Sequence, residues 1–366
     1  MSETVLERAP KQAARLGVID CDIHPLLRSR KSLYPYLAQR WRDVLDSYGT
    51  RTCQPFLGSA AYPKSTPALS RLDSWPPNGG PPGSDLAFMR QQHLDPQDIE
   101  IGVLQVLFPS SKDQRDLGLG SAMATALNDW QLAEWCEPEP RLRGSVAVAC
   151  EDAESSVAEI ERRAGDRRFA SVFLTPRSTE PMGRKRYWPI YAAAAAAGLP
   201  IGVHTGGTNG HPVTSGGSPS LYLEDHHGNA MAMQSALASL VFEGVFEMFP
   251  DLRFIMIEGG FGWAPSCSWR MDKHWARMRD EVPHLRMKPS EYVRRQVWYA
   301  TQPIEEPEHS EDLSVLCEWI GWDRIVFATD YPHWDMDEPS HAFQARLSDK
   351  HKRKIFADNA RTAYGL

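Results

Sequence analysis

The stretch VIDCDIHP, Val18 to Pro25, is an apolar run that closes on Asp20, Asp22 and His24. Side chains two apart on a strand share a face, so these three can converge on one point beyond the strand's end, a geometry that suits a cation. Alone, Asp-x-His at a strand end reads equally well as turn and surface chemistry. The decision rests on whether other runs of this kind end the same way.

Further short, β-rich apolar runs occur at Ile101 to Phe108, Leu142 to Ala149, Phe169 to Pro176, Pro200 to Thr205, Leu252 to Glu258, Val297 to Gln302 and Arg324 to Asp330. With Gly17 to His24 they make eight. Nearly continuous apolar runs suit parallel strands covered on both faces. Helical patterns lie between them at Ser121 to Cys136, Ala153 to Ala164, Arg184 to Ala197, Ala230 to Phe249, Ser266 to Asp280 and Pro307 to Ile320. The run ending at Ala197 has its stop in Gly198 and Pro200.

This alternation predicts the α/β class and a (β/α)8 TIM-type barrel, one domain over residues 1–366. A barrel of this kind typically takes roughly 250 residues. Most of the surplus falls at residues 25–100, a long insertion between strands 1 and 2 that is expected to cap the barrel mouth. Its tract RLDSWPPNGGPPGS, Arg71 to Ser84, is too rich in Pro and Gly for a regular element. It reads either as a flexible surface loop or as a segment packed through Trp41, Tyr48 and Trp75.

Composition narrows the class. The chain is 42% apolar and 24% charged with a formal charge of −7, and no Lys/Arg-rich run is interleaved with aromatics, so a small molecule is expected as partner and nucleic acid is not. Six cysteines lack C-x-x-C spacing, which indicates neither a zinc ribbon nor a disulfide framework and implies a reducing cytosol. Residues 1–17 contain no apolar h-region, and no run approaches the roughly 18 apolar residues of a membrane span. A cytoplasmic protein without membrane contact is the expectation.

Catalytic residues of a barrel belong at the C-terminal ends of its strands. Strand 1 supplies Asp22 and His24 there, strand 5 His204 in VHTGG, strand 6 Glu258 in IEGGFGW, and strand 8 Asp330 and His333 in FATDYPHWD. Imidazole and carboxylate without thiolate suit a divalent ion such as Zn, Fe or Mn, one or two per subunit. Asp22, His24, His204, Glu258 and Asp330 are the candidate ligands, and Asp330, Glu258 and His204 the candidate catalytic groups, with Asp330 as base. Each has a plainer alternative: His204 as a hydrogen-bonded barrel histidine, Asp330 as a turn residue, Glu258 in an ion pair with Arg270. Gly206 and Gly207 after His204 would let a ligand approach the backbone. His226, His227, Trp263, His333 and Trp334 are candidate substrate contacts, and Asp225 reads as the cap of the helix that follows.

Asp22-x-His24, HTGG, EGGFGW and ATDYPH, in this order over residues 17–363, resemble the amidohydrolase superfamily. The resemblance is to the branch containing aminocarboxymuconate semialdehyde decarboxylase and the resorcylate-type decarboxylases. It implies a distorted barrel, a mononuclear divalent metal on Asp22, His24, His204 and Asp330, and a homodimer. The sequence departs from the family's pattern twice. The first motif is Asp-x-His where many relatives have His-x-His or Glu-x-His, and Glu258 stands in the region where the decarboxylases usually carry a catalytic histidine.

The acidic ligand set without that histidine makes hydrolysis the first expectation: metal-bound hydroxide attacking an amide, ester or thioester, with Asp330 shuttling the proton. The alternative is non-oxidative decarboxylation of an aromatic or unsaturated carboxylic acid, with Arg177 or Arg270 as a cationic clamp. A non-catalytic barrel is a third reading, against which the intact ligand set argues.

Overall fold

The computed structural model describes residues 16–50, 69–112, 114–205, 214, 216–217 and 219–366. Eight strands form one sheet in sequence order: β1 (Val18–Ile23), β2 (Ile99–Leu104), β3 (Leu142–Ala147), β4 (Phe169–Leu174), β5 (Ile201–His204), β6 (Phe254–Ile257), β7 (Val297–Ala300) and β8 (Ile325–Val326). Every pair of neighbours is parallel. Residues flanking β8 close the seam: Cys21 N donates to Phe327 O at 3.0 Å, Asp330 N to Asp22 O at 3.1 Å and His24 N to Tyr331 O at 2.8 Å. The result is the expected (β/α)8 barrel, with all eight apolar runs used.

The ladders stop before the runs do. His24, Thr205, Glu258, Gln302 and Asp330 all lie just past the last paired residue of their strand, on the C-terminal rim. Apolar side chains fill most of both faces up to that point, as β6 shows by being apolar and buried throughout, while Asp20 and Asp22 lie within β1 and His204 closes β5. Past it the backbone is free to turn, and polar side chains take over.

The helices are α1 (Gln39–Tyr48), α2 (Leu86–Met89), α3 (Leu117–Gln131), α4 (Ala153–Arg163), α5 (Trp188–Ala196), α6 (Tyr222–Phe242), α7 (Val245–Met248), α8 (Ala264–Arg277), α9 (Pro289–Gln296), α10 (Ser310–Ile320), α11 (Asp349–Arg353) and α12 (Asn359–Tyr364). Asp116 and Asp152 cap α3 and α4 by accepting from Leu119 N at 3.1 Å and Ser155 N at 3.3 Å. Two expected boundaries change. The run Ala230 to Phe249 is broken by Gly244, whose φ of 87° ends one helix and begins the next. The first of the two also starts eight residues earlier than expected, because Glu224 reaches back to Ser220 N and Leu221 N. Asp225 is therefore inside α6 and is not its cap; it pairs with Arg177 at 3.3 Å.

The described part of residues 25–100 holds α1, α2 and short turns. Leu69 to Arg71 lies along the loop after β8: Ser70 bridges His333, Trp334 N donates to Leu69 O at 3.0 Å, and Arg71 N to Pro332 O at 3.0 Å. The Pro/Gly tract packs and is not a loose loop. Gly83, with φ +75°, sits so close that a Cβ there would meet His24 O at 2.4 Å, which only glycine tolerates. Trp41 is packed against the core, whereas Tyr48 and Trp75 are exposed. Among the described residues no helix is long and apolar enough to cross a membrane, and Cys21, Cys136, Cys150, Cys267 and Cys317 are free thiols.

Candidate metal centre

β1 and β5 stand opposite each other in an eight-stranded ring, so a contact between their ends locates the barrel axis. Asp22 Oδ2 lies 3.2 Å from His204 Nε2. His204 Nε2 is also 3.2 Å from Glu258 Oε2 at the end of β6. His24 Nε2 lies 3.1 Å from Asp22 Oδ1 and 2.8 Å from Asp330 Oδ1, and His333 Nδ1 is 2.6 Å from the same Asp330 oxygen. The His333 ring stacks on His24 at 4.3 Å. All five expected ligands thus meet on the axis, together with His333.

Both ligand histidines are oriented from behind. His24 Nδ1 bonds Gln105 O at 2.9 Å and His204 Nδ1 bonds Thr205 O at 2.8 Å. A carbonyl accepts only from N–H, so each Nδ1 carries a proton and each Nε2 is the ring nitrogen that faces the centre. Yet His24 Nε2, Asp22 Oδ1 and Glu258 Oε2 are buried without a partner in hydrogen-bond geometry. Close donor atoms that do not aim at one another, but at a shared point, are what a cation's ligand shell looks like. Asp22, His24, His204 and Glu258 each place one such atom within 4.8 Å of the rest, and His24, Asp330 and His333 form a second group. The residues fit a divalent ion, and the N and O donors suit the borderline and hard members of the series.

Electrostatics agree. Burial alone would raise the Asp22 carboxyl, but His24 and His204 hold it well below the usual range. Burial would lower both imidazoles, but Asp22 with Asp330 raises His24, and Asp22 with Glu258 raises His204. Burial and then the charge of Glu258 push Asp330 well up. Burial, with the charge of His24, drives His333 down to about 3. Glu258 and Asp330 also have positive φ, 59° and 66°, strain that is uncommon outside glycine and gathers at functional sites.

Asp20, two residues before Asp22, takes no part in the cluster. Its Oδ1 accepts from Thr329 N at 2.9 Å and Asp22 N at 3.1 Å, and its Oδ2 meets Thr329 Oγ1 at 2.6 Å and His93 Nε2 at 2.8 Å. It is a structural carboxylate tying β1 to the strand-8 end. Arg270 is exposed on α8, so no ion pair with Glu258 forms. Trp263 turns its indole to Gly259 O at 2.8 Å and packs on Tyr299. His227 is exposed on α6. Gly206 and Gly207 lie outside the described residues.

His226 and Trp334 do reach the rim. Trp334 Nε1 donates to Tyr222 Oη at 2.8 Å, and the three rings cluster within 6.0 Å. His226 Nε2 is 3.1 Å from Asp335. Residues the sequence reading passed over are Gln302 and Asp335, where Gln302 Nε2 donates to Asp330 Oδ2 at 3.3 Å and Asp335 Oδ2 at 3.0 Å. Lys112 is another, nearly buried with its ammonium 4.7 Å above Phe173, whose ring neighbours His204 at 5.8 Å. Gln302 closes the seventh apolar run, so the rule that found the other strand-end residues pointed at it too.

Imidazole nitrogens and carboxylate oxygens meeting where the ladders end put the protein among barrel enzymes that work through a divalent metal. Residues 19–366 match the family described as Amidohydrolase, and the chain belongs to that family. A gamma-resorcylate decarboxylase from Polaromonas sp. (strain JS666) is 26% identical over 301 residues, 77% of this chain and 88% of the relative. The structure of a 5-carboxyvanillate decarboxylase from Novosphingobium aromaticivorans, complexed with manganese and 4-hydroxy-3-methoxy-5-nitrobenzoic acid, covers 100% of both chains with a TM-score of 0.72 and 19% identity. That of a 2,6-dihydroxybenzoate decarboxylase from Rhizobium covers 96% of this chain and 99% of its own, with a TM-score of 0.66 and 19% identity.

Hydrolysis, the first expectation from the sequence, is corrected by this comparison. Relatives from Polaromonas sp. and Rhizobium radiobacter are named gamma-resorcylate decarboxylases, and the acidic sixth-strand position that suggested hydrolysis does not outweigh them. A carboxylate in place of a histidine changes one ligand atom; it does not dictate attack by water.

Proposed function

We propose that this protein is a metal-dependent, non-oxidative decarboxylase of an aromatic carboxylic acid bearing a hydroxyl beside the carboxylate, with manganese as its ion. The observation that carries the reading is the buried set of imidazole and carboxylate atoms left unpartnered around one point on the barrel axis. Support for the reaction comes from the names of the relatives, and for the ion from the manganese bound in one of them.

The reaction replaces carbon dioxide by a proton on the ring. A C–H bond forms at the carbon bearing the carboxylate, the C–C bond breaks, and its electron pair restores the aromatic ring as carbon dioxide leaves. Asp22, His24, His204, Glu258 and Asp330 would hold the ion, which when bound would supply Lewis acidity toward the substrate's oxygens. Asp330 is the proton donor in this reading: it is fully buried among the other groups of the cluster. His333 and Gln302 fix its two oxygens. Lys112 contributes positive potential on the Phe173 side of the site, which favours an anionic substrate.

The test is proton nuclear magnetic resonance of 2,6-dihydroxybenzoate with manganese-loaded protein in deuterium oxide. The reading predicts 1,3-dihydroxybenzene with one deuterium at the former carboxylate carbon. A panel of hydroxybenzoates left unchanged by protein that holds its metal would overturn it.

A further inference from the structure

Gln302, just past β7, is fully buried. Its amide nitrogen faces three acceptors: Asp330 Oδ2 at 3.3 Å, Asp335 O at 3.1 Å and Asp335 Oδ2 at 3.0 Å. Two hydrogens among three acceptors settle which way the amide lies, because the reverse orientation would press its oxygen against two carboxylates. His226 Nε2 lies 3.1 Å from Asp335 Oδ2 and keeps that carboxyl below the usual range against the effect of burial.

This lock leaves Gln302 Oε1 buried with no donor. Buried acceptors are nearly always satisfied, and an amide cannot relieve the deficit by changing its protonation. The same amide touches Asp330, so the vacant acceptor belongs to the group that places the proton donor.

We propose that Gln302 is a specificity residue, whose Oε1 accepts the hydrogen of a hydroxyl adjacent to the scissile carboxylate while its Nε2 holds Asp330. The inference rests on the decarboxylase reading for what the hydroxyl is attached to. A site built to hydrogen-bond a hydroxyl rejects an analogue that lacks the hydrogen, because the protein group is then left unpaired. The residue therefore selects hydroxy over methoxy substituents at that position.

The experiment compares binding of 2-nitroresorcinol and its dimethyl ether, neither of which can lose carbon dioxide, to manganese-loaded protein by tryptophan fluorescence. Wild type should prefer the hydroxy compound by about 30-fold or more. Gln302→Met should cut that ratio by about tenfold, with metal content and melting temperature retained. Asp335→Asn provides a second route if that variant does not fold, because an amide at 335 lets Gln302 turn its oxygen inward and should lower the ratio too. A wild-type ratio near one, or a ratio unchanged in both variants, overturns the inference. A Gln302-dependent preference in a protein that deuterates no hydroxybenzoate would sink the decarboxylase reading and leave the hydroxyl recognition standing.

Discussion

Two clusters of charge in this barrel, one half-buried and one buried, end differently. Between α3 and α4, Glu159 takes Asn128 at 2.8 Å, Arg163 at 3.0 Å and Arg162 at 2.9 Å on one oxygen, and Thr125 and Arg162, each at 2.9 Å, on the other. Asp129 shares the same two guanidiniums. Acids and cations balance and both Glu159 oxygens are satisfied. On the rim, Asp22, Glu258, Asp330 and Asp335 gather around imidazoles alone, and several of the atoms involved have no partner. The first cluster is complete as a piece of architecture. The second is short of positive charge at one place, and that deficit marks the functional site.

The sharpest way to break this contrast is to remove the proton donor. Asp330→Asn should lower turnover of the hydroxybenzoate substrate by about a thousandfold while the barrel melts near the wild-type temperature. Near-wild-type turnover would return Asp330 to a purely structural role. Next in size, replacing His24 and His204 together by alanine should abolish metal binding, measured as metal per subunit. The Glu159→Gln change is the mirror image: it should destabilise the fold by about 2 kcal/mol by weakening the charge-assisted hydrogen bonds to Arg162 and Arg163, which keep Asp129, with metal content untouched. If Glu159→Gln lost metal, the two clusters would not be independent.

The smallest effect is in pH. His24 and His204 have folded values above the ordinary imidazole value of 6.5. Their contribution to the metal-free protein is thus fully present below that value and lost as pH rises through the folded values. Asp22, depressed from 3.8, contributes above its unfolded value and loses that only as pH falls through its folded one. A metal ion needs neutral imidazole, so its stabilisation grows with pH. Melting curves should show the gap between metal-loaded and metal-free protein widening by a few degrees, roughly, from pH 6 to pH 8.5; a constant gap would contradict the assignment of these two histidines as ligands.

How much was legible in the chain follows from which forces are local. The eight strands could be read because burial on both faces leaves continuous apolar runs, such as FIMI at Phe254–Ile257. Their polar endings could be read because a rim rule applies to each strand separately, and it found Asp22, His24, His204, Glu258, Asp330 and His333. The start of α6 could not, since Tyr222 to His227 has no apolar period and is organised by one carboxylate, Glu224, turned back on the chain. The hydrogen bond from the Trp263 indole to Gly259 O could not be read either, since it depends on how the turn after β6 folds. Gln302 ends the seventh run, but its contacts with Asp330 and Asp335 span 28 and 33 positions of sequence and no local pattern encodes them.

The central claim is that the uncompensated rim cluster holds an ion through which carbon dioxide is removed from a hydroxybenzoate. It is tested most directly by carbon dioxide release from 2,6-dihydroxybenzoate by protein as purified, after chelation, and after manganese is returned. The account predicts one carbon dioxide per 1,3-dihydroxybenzene formed, release that stops on chelation and recovers with manganese. Release that continues undiminished in protein shown to contain no metal would contradict it.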